Sequence, residues 1–427
     1  MKCCAAAIIA LALAGGGCGR SKPAAAPADG DSAGNPGDPD GGTGDTDDDT
    51  AADEVPPLVL PPECADAALP PTTLVCTGLY ADIVGKQLAP GIEAYAPAVP
   101  LWSDGADKQR WISLPAGSTI DNADPNEWKF PVGTKVWKEF SRDGRRVETR
   151  LWQKLRDNYW VNATYAWNAD ESVAMKSAGG DIPFGSDGDT YHIPTNDECE
   201  KCHRGRTDRL LGFEQIGLGL PGATGLTLGA LVAAGRLTTP PATTEMVIGD
   251  DGTGVAAPAL AWLHSNCGTT CHNGNSNATA YGSGLRMRLD ATMLDGRSSA
   301  GFDTLRTAVG VTVNAPNWKG QTRIVPGDPD QSLLYHLITH RGTGDQMPPI
   351  ASRLVDQEHT PLIEAWISQM PSAPTPSPDG GVDAPDEAGV SEVGVSEVGD
   401  NEAGNPDGGD DAPGSLDADD ETSSGLP

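Results

Sequence analysis

The sequence predicts an α+β protein: an antiparallel β-rich N-terminal module, then a mainly α-helical region, set between disordered acidic termini. Three observations carry this. Alternation of apolar and polar residues with period two is concentrated before residue 194. Helix-start signals and one-sided apolar faces take over after residue 195. All the aromatic residues (10 Trp, 7 Tyr, 5 Phe) lie between Tyr80 and Trp366, so neither end has the means to build a core.

The ends hold most of the charge. The 427-residue chain carries 29 Lys+Arg against 60 Asp+Glu, a net −31. Gly19 to Pro56 has 10 acidic and 2 basic residues, and Pro371 to Pro427 has 15 acidic and none basic, so the body between them is only mildly acidic. That balance excludes a nucleic-acid binder with a basic footprint, and the lack of long apolar runs excludes a multi-pass membrane protein. Residues 19–62 read as a disordered acidic linker. Residues 371–427 read as a disordered acidic tail, with GVSEV twice in tandem from Gly389 to Val398. At the start, Met1-Lys2 and the apolar run Ala5 to Ala14 suit a secretory signal, being too short to span a bilayer. Gly15-Gly16-Gly17-Cys18 resembles a bacterial lipoprotein signal over residues 1–18, with Cys18 as the lipidated residue; Gly15 stands where that pattern usually has Leu. Ordinary export with an incidental Cys18 is the alternative. The expectation is an exported lipoprotein, periplasmic or at the cell surface, held to the outer membrane only through its lipid.

Residues 63–194 form the β-rich module. Tyr159, Val161, Ala163, Tyr165 and Trp167 alternate with Trp160, Asn162, Thr164 and Ala166, and Val147, Thr149 and Leu151 alternate just before them. Lys135 to Phe140 and Gln109 to Leu114 are further strand candidates, separated by turn signals such as Asp143-Gly144 and Asp157-Asn158. Seven of the ten Trp lie here; core packing explains Trp at strand positions, and a ligand-binding surface is the competing reading. In an exported protein, Cys64 and Cys76 are expected to form a disulfide.

Residues 195–254 open on Cys199-Glu200-Lys201-Cys202-His203, a C-x-x-C-H string. Two thiols at this spacing add across the two haem vinyl groups, and the following imidazole is delivered to the iron, so the string reads as a haem c attachment site. A plain disulfide and a zinc knuckle are the alternatives. Thr195 and Glu198 have capping-box spacing, which predicts a helix start at the motif.

Residues 255–370 contain the second string, Cys267-Gly268-Thr269-Thr270-Cys271-His272, with three residues between its thiols instead of two. The extra residue must bulge if both sulfurs are to reach one haem, which makes this cofactor less certain than the first. Pro258 to His264 predict a helix leading into it. Downstream, Asp328 and Pro329 read as the start of a helix bearing Leu333, Leu334, Leu337 and Ile338. Thr360 and Pro361 start another, with Leu362, Ile363, Trp366, Ile367 and Met370 on one face. Between them Met347, in the loop Gln346-Met347-Pro348-Pro349, is the expected distal iron ligand, with Met287 as competitor. Such an order is that of a small cytochrome c-like domain.

The succession of Val99-Pro-Leu-Trp-Ser-Asp104, Phe130-Pro-Val-Gly-Thr134, Glu148-Thr-Arg-Leu151, Ile193-Pro-Thr-Asn196, CEKCH, Asn266-Cys267, Pro326-Gly-Asp-Pro329 and Met347-Pro-Pro349 resembles a family of exported diheme c-type cytochromes. The resemblance spans Thr77 to Met370. It implies two covalent haems, with His203 and His272 as proximal ligands and Cys199, Cys202, Cys267 and Cys271 as attachment points. The family has C-x-x-C-H at the second string, and this chain departs from it there.

The first haem has no evident distal ligand; His192, Met175, Met246 and His264 are the candidates. Lys201, Arg204, Arg206 and Arg209 place positive charge beside it, facing haem propionates, an acidic partner or solvent. The expected function is electron transfer between redox partner proteins. A diheme peroxidase or oxidase using an open coordination site is the second class, and a surface-binding lipoprotein with a partly degenerate haem domain the third. No phosphate loop, Ser/His/Asp triad or HExxH string offers another.

Overall fold

In the computed structural model the described residues are 58–371, apart from Asp66, residues 185–188, Thr343 and Ala351. The signal segment, Cys18, nearly all of the acidic linker and all but the first residue of the tail therefore lie outside the described residues. From Val59 onward the chain is a single unit.

The alternating segments become strands. In chain order these are β1 (Tyr80–Asp82), β2 (Gln87–Leu88), β3 (Glu93–Ala96), β4 (Asp107–Ser113), β5 (Lys135–Arg142), β6 (Arg145–Arg156), β7 (Tyr159–Trp167), β8 (Ala174–Ser177), β9 (Gly180–Pro183) and β10 (Thr190–Ile193). The helical part has α1 (Asn196–His203), α2 (Gln215–Gly219), the short strand β11 (Thr224–Gly225), α3 (Leu228–Ala233), α4 (Ala256–Leu263), α5 (Asp303–Ala308), α6 (Leu333–Thr339) and α7 (Thr360–Gln369). The class is mixed α+β, with an antiparallel sheet.

That sheet has seven strands in the order β11-β3-β4-β5-β6-β7-β8. Consecutive strands β3 to β8 form a meander, as short polar turns at Asp143-Gly144 and Asp157-Asn158 dictate. Asp143 and Asn158 take the left-handed conformation (φ 50° and 57°) that such turns need. One edge is closed from afar, because β11 follows the first cysteine string in sequence yet pairs with β3, Thr224 with Ala96.

The two sheet faces have different tasks. One buries Trp111, Trp137, Leu151, Ala163 and Tyr165 against Leu74 and Leu79. The Cys64–Cys76 disulfide lies beside it, with a Cα–Cα distance of 5.2 Å. The opposite face presents Ile112, Val136 and Trp152 to the helical part. There they share one continuous core with Phe213, Leu260, Trp262, Ile363, Trp366 and Ile367. Trp111, Trp128, Trp137, Trp152 and Trp167 are all buried, which favours packing over a ligand surface for these five.

Two helix starts differ in quality from their sequence signals. Thr195 caps α1 in a full capping box with Glu198. The helix expected from Asp328-Pro329 begins only at Leu333. Asp328 instead accepts from the Gln331 amide at 3.1 Å, and Ser332 Oγ donates back to the Asp328 carbonyl at 2.8 Å, so these residues form a turn.

Candidate functional site

The first string lies on α1, where helical geometry turns Cys199, Cys202 and His203 toward a cavity between the sheet and the helical part. The second follows α4. There the helix widens into a π turn over His264–Gly268, closed by the Thr269 amide on the His264 carbonyl at 2.8 Å. The His272 amide likewise reaches back five residues to the Cys267 carbonyl at 2.8 Å. The extra residue of the second string is thus absorbed by a local widening of the helix, which allows both thiols and the imidazole to line a cavity.

It is the same cavity. Cys199, Cys202, His203, Cys267, Cys271 and His272 all line it, and Met347 does too. The two strings, although 68 positions apart from Cys199 to Cys267, meet backbone to backbone. A Cβ on Gly205, two residues after the first string, would lie 2.1 Å from the Thr270 carbonyl oxygen in the second. The Lys201 carbonyl accepts from Thr279 Oγ1 at 2.6 Å, and the Cys202 and Cys271 thiols hydrogen-bond one another. That contact, with burial, raises the Cys202 thiol well above its ordinary range; the same contact, against burial, lowers the Cys271 thiol to about 7. Burial pushes Cys267 up to about 12.

Both imidazoles are held neutral. Burial and nearby Lys138 push His203 down to about 3; burial, with Arg323 and Arg286, pushes His272 down to about 4. The His203 ring stacks on Trp152 with centroids 4.2 Å apart, and its Nδ1 donates to the Arg209 carbonyl at 2.6 Å. Among the described residues its Nε2 has no hydrogen-bond partner. An imidazole with Nδ1 so committed and Nε2 free is arranged to ligate a metal.

The loop Val99 to Asp104 ties the sheet to the second string and to the segment after Met347. The Trp102 amide donates to Asn266 Oδ1 at 2.7 Å, and the Leu354 amide to Asp104 Oδ1 at 2.8 Å. Met347 is partly buried against Leu333 and Leu337, and its amide donates to the Leu337 carbonyl at 2.9 Å. Met287, its competitor, is buried in the main core at 1 % exposure and does not line the cavity.

None of the four distal candidates for the first site reaches that cavity. His192 places Nδ1 2.6 Å from Asp181 and Nε2 3.2 Å from Glu198. His264 is buried with Nε2 2.7 Å from Glu214, while its Nδ1 accepts from the Leu289 amide at 3.0 Å. Met246 is buried in the core, and Met175 is exposed on β8. The basic residues after the first string are largely paired within the chain: Arg206 is buried against Glu214 at 3.2 Å, and Arg209 pairs with Glu200 at 2.6 Å.

The sheet contributes a feature that sequence reading missed. Arg110, Lys138 and Arg150 are direct cross-strand neighbours on the face turned to the helical part. Lys108, Lys138 and Arg150 line the cavity itself. Burial and the surrounding cations push Lys108 down to about 7, and Lys138 well below its usual range. The signal was present in the alternation: Lys138 shares a face with Val136 and Phe140, and Arg150 with Trp152.

Among the described residues, no three His, Cys, Asp or Glu side chains stand together as a metal site, so a zinc knuckle finds no ligand cluster here. The four cysteines of the strings are free thiols. Haem c fits the donor set: two thiol pairs, two neutral imidazoles, one thioether, and apolar wall from Leu101, Phe140 and Leu211. No family model matches the chain, and neither a curated protein nor a solved structure matches it either.

Proposed function

We propose that this chain is an exported diheme c-type cytochrome that carries electrons between redox partner proteins, its helical part being the cytochrome c-like domain. The observation that carries the reading is the convergence of both Cys-Cys-His strings and Met347 on one cavity. Cys199 and Cys202 would hold one haem and Cys267 and Cys271 the other, with His203 and His272 as proximal ligands and Met347 distal to the second. Haem c, when bound, supplies a one-electron iron couple. The chain's residues do the rest. Trp152 and the Arg209 carbonyl fix the His203 ring, the π turn aligns the second thiol pair, and the Pro-flanked loop presents the Met347 sulfur. The contact between Cys202 and Cys271 puts the two attachment points side by side, which favours passage of electrons between the two sites.

Export and a lipid anchor at Cys18 complete the reading, with membrane contact through that lipid alone; among the described residues no helix is long and apolar enough to cross a membrane. A pyridine haemochrome assay with intact mass on protein matured in a cytochrome c-competent host tests the core of it. Two covalent haems are expected. One haem, lost on Cys199→Ser but kept on Cys267→Ser, would remove the second site, and none would sink the assignment.

One observation favours a second reading, an enzyme of peroxidase or oxidase type: none of His192, Met175, Met246 and His264, the distal candidates for the first haem, lines the cavity. An open iron position there would admit a small molecule. Rapid mixing of the reduced protein with hydrogen peroxide separates the two, since fast catalytic turnover would replace simple electron transfer as the conclusion.

A further inference from the structure

The face that the sheet turns toward the cavity is banded by register. Ile112, Val136 and Trp152 form an apolar row across β4, β5 and β6. The adjacent row is Arg110, Lys138 and Arg150, with Lys108 two residues along β4 from Arg110. Directly opposed side chains have Cβ atoms about 5 Å apart, where like charges destabilise a sheet. Partial burial sharpens the penalty: Arg110 is buried and Lys108, Lys138 and Arg150 are half-buried, and a cation drawn out of water without a partner loses hydration uncompensated.

The chain compensates this row poorly. Glu148 is the one carboxylate hydrogen-bonded to it among the described residues. Both its oxygens are taken by Arg150, at 2.9 and 2.5 Å, and one also accepts from Tyr191 at 2.8 Å. Arg110 is 5 % exposed, and its guanidinium makes a single 3.5 Å contact, to the Lys108 carbonyl. Among the described residues Arg110 has no carboxylate partner and the Lys138 amine has no hydrogen-bond partner at all. Lys108 donates to the Leu101 carbonyl. Glu198, which also borders the cavity, is tied to Thr195 and His192. Arg110 and Lys138 together line a smaller cavity that shares Leu101, Leu211 and Thr270 with the main one.

We propose that Arg110, Lys138 and Arg150, with Lys108, form an anion-binding site in the sheet wall, taking a carboxylate or a small inorganic oxyanion. The site stands on the sheet's own residues; only one of its two sources, a haem propionate, rests on the haem reading. The other source is a diffusible anion that enters the cavity. Either supplies the negative charge that the row lacks, through charge-assisted hydrogen bonds.

The test uses purified full-length holoprotein at constant ionic strength set with chloride. Formate and phosphate are titrated by calorimetry into wild type, Lys138→Gln, Lys138→Arg and, as a surface control, Lys319→Gln. If the anion is diffusible, wild type and Lys319→Gln show saturable binding. That binding weakens about ten-fold or more in Lys138→Gln and returns in Lys138→Arg. If the anion is a propionate, wild type binds neither probe. The proton resonances of one haem's propionates then shift in Lys138→Gln, and its midpoint potential falls because a cation near the iron has been removed. Thermal melts check folding; relief of like-charge repulsion should leave Lys138→Gln no less stable in anion-poor buffer. Absence of probe binding together with unmoved propionate signals and potential overturns the proposal. Should the chain carry no haem, the calorimetric arm still decides for or against the site, so the two readings fail separately.

Discussion

Gly205 and Thr270 stand so close that no side chain fits between them: a Cβ on Gly205 would lie 2.1 Å from the Thr270 carbonyl oxygen. Gly205 lies two residues beyond the first cysteine string and Thr270 lies within the second, so this contact sets how near the two strings come. Gly205→Ala must force backbone apart, since the obstructing atom is main chain and cannot rotate away. The expected cost is about 2 kcal/mol or more in urea unfolding, with a lowered yield of doubly loaded protein by intact mass. A variant as stable and as fully loaded as wild type would show that the strings are not held by this contact.

Met347 and Met287 make opposite predictions. Met347 lines the cavity, whereas Met287 is a core residue. On the proposed diheme reading, Met347→Ala should lower the potential of one haem by a sizeable part of the roughly 0.8 V over which axial ligands act. Met287→Leu, a swap of similar volume, should cost under about 1.5 kcal/mol and leave the potential alone. Redox titration of both variants reads the difference, and an equal fall in both would remove Met347 from the iron.

The Glu214 site makes the helical part sensitive to acid. Burial alone would raise this carboxyl, but His264 at 2.7 Å, Arg206 at 3.2 Å and nearby Arg288 hold it well below the usual carboxylate range. A carboxyl depressed in the folded state binds more protons when unfolded. Its stabilisation is therefore full above the ordinary value of 4.5 and is lost as pH falls through the folded value. Glu214→Gln takes from buried His264 its carboxylate and leaves buried Arg206 only the more distant Glu127, at 3.8 Å, at an expected cost of about 3–5 kcal/mol at pH 7. That gap should narrow as pH drops below about 4.5 in urea unfolding series. A gap constant with pH would refute the argument.

Residue patterning accounts for the sheet more fully than for the site. Tyr159 to Trp167 reads directly as a strand because its alternation matches the two faces it covers, and β7 has those bounds. The capping box at Thr195 is local and equally legible. What escaped was non-local or of unexpected polarity. Spacing shows that the second string has an extra residue, but the π turn that absorbs it depends on the Thr269 and His272 amides donating to the His264 and Cys267 carbonyls. Convergence of the two strings rests on the Gly205–Thr270 approach, which no local pattern announces. Lys138 and Arg150 occupy inward positions of the alternation where apolar residues are expected, so the pattern does not announce a charged row there. The Asp328-Pro329 signal was misread because an Asp side chain serves an isolated turn as readily as a helix start.

The short strand β11 has a consequence for dissecting this molecule. It returns from beyond the first string to close the sheet at β3, and the main core runs without a break from Ile112, Val136 and Trp152 into the helices. A fragment ending at Pro194 would lose that edge and expose the Ile112, Val136 and Trp152 row to water. Light scattering should find it aggregating, where the full chain does not. The boundary visible in composition between strands and helices is therefore not a place to cut. The first half of this protein and its cysteine strings have to be made, and kept, as one piece.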